Sequence, residues 1–283
     1  MSFTKVQVVL LVAVLVLGLS IAGWWAGVGR LAVSGDAGQA MPVIAAEPAA
    51  QLTTQQDPAS TGAGTGPAGQ AGQADAAGGA SGQATASASG RPALMPAGLV
   101  SASWVAQETV ATGIPARALQ AYAGAAIVTA RQHPGCHLGW NTLAGIGMEE
   151  SAHGTTGGAY IQADGQVHGV ILGPVLDGGS YGKVPDTDHG ALDGNTRWDR
   201  AVGPMQILPA TWARYGVDAN GDGKADPNQI DDAALTAADY LCTAGGDLGT
   251  AAGWVKAIHA YNPNDAYIAA VRDYANRYAQ EAG

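Results

Sequence analysis

The segment LGWNTLAGIGMEESA, residues 138–152, places two adjacent glutamates at the end of an otherwise small and apolar stretch. Helical spacing puts Leu143, Ile146 and Glu150 on one face, whereas Glu149 points to a different side. A carboxylate among apolar neighbours is costly unless it is paired or used in chemistry. We therefore expect a buried helix that carries Glu150 into the apolar interior or into a cleft lined by it.

Two interpretations of Glu150 are open on this helix alone. A structural glutamate would cap a neighbouring backbone segment. A catalytic glutamate would exploit the rise in pKa that burial causes, because a carboxyl group that stays protonated near neutral pH can donate a proton to an acetal oxygen. Cleavage of a glycosidic bond requires such an acid.

Further segments with helical spacing make the predicted fold mostly α. They are residues 112–132, with Thr112 or Gly113 as the N-terminal cap, 208–216, opening with Pro209 and closing with Gly216, and 231–245, 247–261 and 265–280. Residues 159–172 predict a hairpin around Asp164-Gly165. This hairpin belongs to a Gly-rich excursion from about residue 154 to residue 200.

The N-terminal third of the chain predicts export. An uncharged run from Val6 to Gly29 is long enough to span a bilayer, which takes about 20 apolar residues. Residues 1–34 are therefore expected to be an uncleaved membrane anchor or a cleaved signal. Residues 35–97, rich in Ala, Gly, Gln, Ser, Thr and Pro, predict a disordered linker. Residues 98–283 are expected to form a domain outside the cytoplasm, anchored to the membrane or secreted to the cell wall.

The cysteine count and the charge narrow the chemistry further. In an exported domain the pair Cys136 and Cys242 favours a disulfide, and two buried free thiols are the alternative. The formal net charge is −10, with ten Lys or Arg against nineteen Asp or Glu from residue 97 onward. Because the chain has no run of Lys or Arg, nucleic acid and anionic lipid surfaces are disfavoured as partners.

Three motifs follow one another in a recognisable order. Glu150-Ser151-x-x-Gly154 ends the first helix, GPMQILPATW occupies residues 203–212, and Tyr261-Asn262 closes a later helix. In this order the motifs resemble those of the lytic murein transglycosylases, and the membrane-bound B type most of all, over about residues 110–275. The resemblance implies a lysozyme-like (SLT) domain.

The resemblance also implies an activity. The enzyme would cleave the β-1,4 bond between N-acetylmuramic acid and N-acetylglucosamine in peptidoglycan and form 1,6-anhydromuramoyl ends, with Glu150 as acid and then base. Ser151 would orient Glu150 by a hydrogen bond. The substrate-binding residues implied are Ser151, Met205, Gln206, Tyr261 and Asn262. The partner would be the glycan strand, and a monomer is expected.

Residues 154–201 depart from the B type, because they are short and Gly-rich and lack its helical insertion. They contain the aspartates Asp177, Asp186, Asp188, Asp193 and Asp199. One of these as a second carboxylate would make the protein a lysozyme-type, inverting hydrolase. A non-catalytic wall-binding module with a structural Glu150 is a further alternative. His153 and His259 lie near the expected cleft and are candidates for substrate contact.

The segment DANGDGKADPNQIDD, residues 218–232, begins like an EF-hand loop, with oxygen side chains at alternating positions before Gly223. Its twelfth position is Gln229 in place of the usual Glu, and the similarity to the lengthened loop of the B type implies a ligand three residues later. The expected ligands of a structural Ca²⁺ are Asp218, Asn220, Asp222, the main-chain oxygen of Lys224 and Asp232. Asp226 would bind through a water, and a solvated turn without metal is the alternative.

Overall fold

The computed structural model describes residues 95–282. The predicted membrane segment and almost all of the predicted linker lie outside these residues. Within the described part the chain is mostly helical, as the sequence predicts. No helix in residues 95–282 is both long and apolar enough to cross a bilayer.

The described part contains seven α-helices and one two-stranded sheet. The helices are α1 (Ala102–Thr112), α2 (Ala116–Gln132), α3 (Trp140–Ser151), α4 (Pro209–Tyr215), α5 (Ile230–Gly245), α6 (Ala251–Tyr261) and α7 (Asp265–Glu281). The strands are β1 (Tyr160–Ile161) and β2 (Val167–His168). Short 3₁₀ turns at Pro96–Leu99 and Thr156–Gly158 precede α1 and β1.

Helix α3 lies at the centre of the fold, with residues 140–147 all buried. Its glycines permit this packing. A Cβ atom at Gly145 would lie 2.7 Å from the carbonyl oxygen of Val271 in α7, and one at Gly147 would overlap the phenol of Tyr122 in α2. The absence of a side chain at these two positions therefore lets α3 approach both neighbours closely, and this close approach fixes the place of the glutamates that follow.

The apolar face of α3 is built as the sequence predicts. Leu143 and Ile146 are fully buried and belong to the same core cluster as Leu119 of α2, Leu241 of α5 and Ile258 of α6. Full burial of each such side chain stabilises the fold by about 1.5–3 kcal/mol. The rotation of α3 about its own axis, and hence the direction of Glu150, is set by this core.

The start of α2 differs from the prediction. Thr112 is the last residue of α1, and Gly113 ends that helix in the left-handed conformation, with φ of 71°. Helix α2 begins at Ala116, directly after Pro115. A glycine with positive φ terminates a helix more readily than it begins one, and the sequence interpretation missed the helix before it. Helix α4 begins and ends where the sequence predicts.

The hairpin predicted within residues 159–172 is confirmed, although each strand has only two residues. Tyr160 pairs with His168 and Ile161 with Val167, in antiparallel register. The backbone N–H of Gln162 donates to the carbonyl of Gln166 at 2.8 Å and closes the turn. The alternation of the pair positions leaves Val167 buried and His168 exposed.

The hairpin turn is fastened to the helical body by charged and amide side chains. Arg117 of α2 donates to the carbonyl of Ala163 at 3.2 Å and forms an ion pair with Asp231 of α5, which is buried. Gln229 donates from its amide to the carbonyl of Asp164 at 3.1 Å. A partly buried arginine with a carboxylate and a carbonyl as partners satisfies most of its donors, so the turn is held firmly.

A disulfide joins Cys136, in the loop before α3, to Cys242 in α5. The two Cα atoms lie 5.4 Å apart, and the residues are separated by 106 positions in the sequence. Both cysteines are buried. The bond therefore ties the approach to the central helix to a distant part of the chain and restricts the unfolded state.

Replacing both cysteines with serine is expected to lower the free energy of unfolding by about 2–5 kcal/mol, because the long closed loop is lost from the unfolded chain. Denaturant unfolding of the oxidised protein and the double variant measures the difference. Reduced wild type should match the variant. Equal unfolding midpoints for all three would contradict the prediction.

Candidate active site

Glu150 lies in the last turn of α3, one residue before the helix ends at Ser151. Ala152 follows in the left-handed conformation, with φ of 49°, and turns the chain away. The glutamate is partly exposed. The fold thus carries this side chain from the buried core to the partly exposed end of the helix.

Burial raises the pKa of Glu150 from its ordinary 4.5 to about 7. The negative charge of Glu149 also raises this pKa, while a hydrogen bond from Tyr267 lowers it, and burial is the largest of the three causes. Glu149 is itself partly buried, and its pKa is raised in the same direction. A carboxyl group with a pKa near 7 can give up a proton at neutral pH and take one back.

Tyr267 is the residue of the site that the sequence interpretation missed. Its phenol donates a hydrogen bond to Oε1 of Glu150 at 2.6 Å. Burial, and then the charge of Glu150, raise the pKa of Tyr267 well above its ordinary value, so the phenol stays a donor. Asn264 caps α7 by accepting from the backbone N–H groups of Ala266 and Tyr267. A tyrosine in a capped first turn just after the Tyr-Asn motif was the available signal.

Ser151 does not take the expected place beside the Glu150 carboxyl. It is 1% exposed, its hydroxyl donates to the carbonyl of Pro204 at 2.6 Å, and the same oxygen accepts from the N–H of Gly154 at 2.8 Å. A hydroxyl with both roles filled and no solvent access contacts neither Glu150 nor a substrate. Ser151 instead fastens the end of α3 to the turn at residues 203–206.

The turn at residues 203–206 presents Gln206 and buries Met205. The Met205 side chain is fully buried, so it does not line a cleft as expected, whereas its carbonyl accepts from the Tyr261 phenol at 2.7 Å. Gln206 has a φ of 46°, and its amide donates to the carbonyl of Gly203 at 2.9 Å. The glutamine is therefore held in one orientation by its own turn.

A small pocket with a cavity volume of about 100 Å³ opens between the turn, α4, α5 and α6. Its lining includes Gln206, Thr211, Thr236, Tyr240 and Tyr261. Burial, and then the charge of Glu150, raise the pKa of Tyr261. Asn262, at the end of α6, is partly buried beside Tyr261. A few fixed polar groups on a concave surface are typical of ligand sites.

His153 is not a surface residue of the cleft. It is 5% exposed, with its ring nitrogens 3.3 Å from the phenol oxygen of Tyr122 and 3.0 Å from that of Tyr278. Burial lowers the pKa of His153 to about 4, so its ring is neutral at neutral pH. It bridges α2 and α7 behind the end of α3. His259, by contrast, is exposed.

The loop at residues 218–232 is organised around Asp232, which is fully buried at the start of α5. Its carboxylate accepts from the backbone N–H groups of Ala219, Asn220 and Asp226, at 2.8, 3.1 and 2.9 Å. These bonds bring Asp232 against the beginning of the loop, although fourteen positions separate it from Asp218. This is the proximity that a ligand at a lengthened position needs.

The other predicted ligands also offer only oxygen atoms of the kind that Ca²⁺ prefers. Asp218 accepts from the N–H groups of Gly221 and Gly223, both at 2.8 Å, and Gly223 turns the backbone with φ of 92°. Asn220 donates to the Asp222 carboxylate at 3.0 Å. The ammonium group of Lys224 donates to the Asp226 carboxylate at 2.8 Å. The donor set therefore fits a calcium ion.

The five aspartates considered as a second catalytic carboxylate are used by the loop that contains them. Each accepts at least one backbone N–H, and these are Asp177, Asp186, Asp188, Asp193 and Asp199. Oxygens of Asp186, Asp188 and Asp199 lie within 4.8 Å of one another. Their hydrogen bonds shape residues 177–199 in place of regular secondary structure.

Residues 186–254 match the family model of the transglycosylase SLT domain. The matched segment includes the turn at residues 203–206 and the loop at residues 218–232, whereas Glu150, Tyr261 and Tyr267 lie outside it. The match supports a lytic transglycosylase or lysozyme-like family, and with it a peptidoglycan-cleaving enzyme in broad terms. No curated protein and no solved structure matches the chain.

Because the pKa of Glu150 is raised, the free energy of unfolding is expected to fall as pH rises through the titration of this carboxyl. Between about pH 4.5 and about pH 7 the native state binds more protons at the Glu150 carboxyl than the unfolded state does. The contribution of this carboxyl to stability is therefore present below pH 4.5 and is lost as pH rises through 7. Unfolding of wild type and Glu150→Gln in urea is the measurement. The variant should gain stability relative to wild type as pH rises from 4.5 to 7. A constant difference across that range would contradict the raised pKa.

Proposed function

We propose that the domain is a peptidoglycan lytic transglycosylase of the membrane-bound B type. It cleaves the β-1,4 bond between N-acetylmuramic acid and N-acetylglucosamine and leaves 1,6-anhydromuramoyl ends. The observation that carries the proposal is the partly exposed Glu150 carboxyl, which burial keeps protonated up to about pH 7 and to which Tyr267 donates a hydrogen bond. The match to residues 186–254 gives independent support for the family.

In the first step Glu150 donates its proton to the oxygen that bridges the two sugars. The bond between that oxygen and muramic C1 breaks, and N-acetylglucosamine leaves with a free 4-hydroxyl. The acetamido oxygen of muramic acid bonds to C1 as an internal nucleophile, as in substrate-assisted glycosidases. The hydrogen bond from Tyr267 stabilises the Glu150 carboxylate that this step creates.

In the second step the Glu150 carboxylate takes the proton of the muramic C6 hydroxyl. That oxygen bonds to C1, and the acetamido oxygen is released. No water is consumed, and Glu150 ends protonated, as it began. The route needs one carboxyl group that works in both directions, and a pKa near 7 suits both proton transfers at neutral pH.

The pocket between α4, α5 and α6 is proposed to hold the N-acetyl group of the sugar at the cleavage site. Gln206 and Tyr261 line it, and Asn262 lies next to Tyr261. An amide and a phenol with fixed orientation suit recognition of an N-acetyl group, which has one acceptor and one donor. Met205 contributes through its carbonyl, which positions Tyr261, and its side chain stays in the core.

A lysozyme-type hydrolase would need a second carboxylate to activate a water. The five aspartates between residues 177 and 199 are bound to backbone N–H groups of their own loop, and this favours the single-carboxyl route. A wall-binding module would not need a carboxyl group with a raised pKa. The reaction products distinguish the hydrolase and the wall-binding module from the proposed transglycosylase.

The full-length protein is expected to release muropeptides that are lighter by one water than lysozyme products from the same peptidoglycan. Glu150→Gln should slow release by about 10²–10⁴-fold, because the acid is lost. Glu149→Gln is the matched control and should keep most of the activity. Mass spectrometry of the soluble products measures both the mass difference and the amount released.

Each other outcome of the product analysis assigns a different function. Reducing muramic acid ends would make the protein a hydrolase. Binding of wild type to peptidoglycan without soluble products would make it a wall-binding module. Equal release by wild type and Glu150→Gln would remove Glu150 from catalysis.

We also propose a structural Ca²⁺ in the loop at residues 218–232. Its ligands are Asp218, Asn220, Asp222, the carbonyl of Lys224 and Asp232. The oxygen-only donor set and the approach of buried Asp232 to the start of the loop support this. The ion offsets the repulsion among the acidic side chains there and joins the loop after α4 to the start of α5.

Removing calcium with a chelator is expected to lower Tm by about 5 °C or more, because an ion that binds only the folded state stabilises it. Asp222→Asn should abolish most of this shift. Asp188→Asn, which changes an acidic group outside the loop, should keep it. A wild-type Tm that the chelator leaves unchanged would contradict the metal site. If only Asp188→Asn lost the fall in Tm, the metal would bind in the loop at residues 177–199 instead.

The cellular placement is proposed from the sequence. Residues 1–34 export or anchor the chain, and the linker at residues 35–97 gives the domain reach into the cell wall. The domain acts there on glycan strands as a monomer.

A further inference from the structure

Two rings stack on the outer face of the β1–β2 hairpin, and both are exposed. The ring centroids of Tyr160 and His168 lie 4.8 Å apart, with an angle of 30° between the planes. Tyr160 is 50% exposed, and Val170, two residues after His168, is 77% exposed. We call Tyr160, His168 and Val170 the hairpin platform. Adjacent exposed apolar and aromatic groups on a soluble domain are typical of a binding surface.

The hairpin platform stands on a rigid base. The opposite face of the hairpin places Ile161 and Val167 against Ala159 and Ile171 in a small core of their own. The turn is fastened by the ion pair of Arg117 with the α5 start described above. A surface that is already ordered loses little conformational entropy when it binds a ligand.

The hairpin adjoins both segments that build the candidate active site. A Cβ atom at Gly154 would lie 2.9 Å from Ile161 of β1 and 3.5 Å from Pro204. Gly154 follows the end of α3 by three residues, and Pro204 belongs to the turn that presents Gln206. The carbonyl of Ile171 accepts from the N–H of Gly203 at 2.9 Å. The inner face of the hairpin therefore contacts the segment that follows α3 and the turn that presents Gln206.

We propose that the hairpin platform binds a sugar ring of the same glycan strand that is cut at Glu150, beyond the sugars in the pocket. This inference rests on the proposed function. A pyranose ring has a face of C–H groups, and the electron-rich face of an aromatic ring attracts them. A second contact on one polymer raises the effective concentration of the strand at the site. Long strands consequently bind better than short ones.

The chemistry of the hairpin platform favours a sugar over a peptide stem. Its side chains are a phenol, an imidazole and an isopropyl group, with no carboxylate, ammonium or guanidinium among them. Peptide stems are recognised by the charges of their carboxylates and amines, which need charged or forked partners. The outer face of one ring of the stacked pair, with its polar edge, instead matches the flat face and hydroxyl rim of a hexosamine.

The test uses the full-length protein and peptide-free glycan strands of about four and about ten sugars. Tyr160→Ala is expected to lower kcat/KM for long strands by about three- to tenfold and to leave that for short strands unchanged, since one stacking contact is lost. Tyr160→Phe should retain the wild-type values. Tyr181→Ala removes another tyrosine of the same excursion, 52% exposed, and should have no effect.

Three results would overturn the inference. Equal losses on short and long strands would indicate a local distortion of the site. Unchanged values on both would show that the ring pair does not contact glycan. A loss seen only when stems are attached would assign the surface to peptide.

Failure of the proposed function would look different, because wild type would then leave strands of both lengths uncut or would cut both with reducing ends. In that case calorimetry with Glu150→Gln and long strands tests the hairpin platform alone. Weaker binding when Tyr160→Ala is added supports the inference, and equal binding overturns it.

Discussion

The carboxyl group of Glu150 meets two opposing demands, and the rest of the site is arranged around them. Burial makes its charge costly and raises its pKa to about 7, while the phenol of Tyr267 at 2.6 Å makes that charge tolerable. The proposed proton transfers need both influences. A fully desolvated acid would not release its proton, and an exposed acid would not hold it near neutral pH. The balance depends on α3 and α7 meeting at a fixed distance.

That distance is set by the backbone of the central helix. The glycine at position 145 allows α3 to touch α7, and Leu143 and Ile146 fix its rotation by full burial. Hydroxyl groups then secure the neighbouring turn. Ser151 donates to the carbonyl of Pro204 and Tyr261 to that of Met205, so that residues 203–206 are held from both sides of the site. The pocket and the acid are parts of one packed unit.

The sequence predicts six of the seven described helices, all but α1, because their apolar spacing and their Pro and Gly boundaries are local signals. Glu150 could be found for the same reason, as a carboxylate on an apolar face. The partners of Ser151 and Met205 could not, because the carbonyls and the phenol that they meet are more than fifty residues away. Those two motif residues therefore pack inside the domain, where they support the candidate site.

Tyr267 illustrates the same limit from the other direction. Its bond to Glu150 spans 117 positions and depends on how α7 packs on α3, which no local pattern encodes. The Gly-rich excursion was equally hard to predict beyond its hairpin, because its aspartates form turns through their own backbone and leave no periodicity. The sequence interpretation failed mainly at long-range hydrogen bonds and less at the boundaries of the helices.

The titration of the Glu150 carboxyl tests the central claim most directly. Carboxyl-carbon NMR of the protein labelled at glutamate, with Glu150→Gln to assign the signal, measures its midpoint. The account predicts a midpoint near 7, well above the 4.5 of an ordinary glutamate. A midpoint at or below 4.5 would mean that Glu150 is already ionised at neutral pH, and it would contradict the role of this residue as the acid.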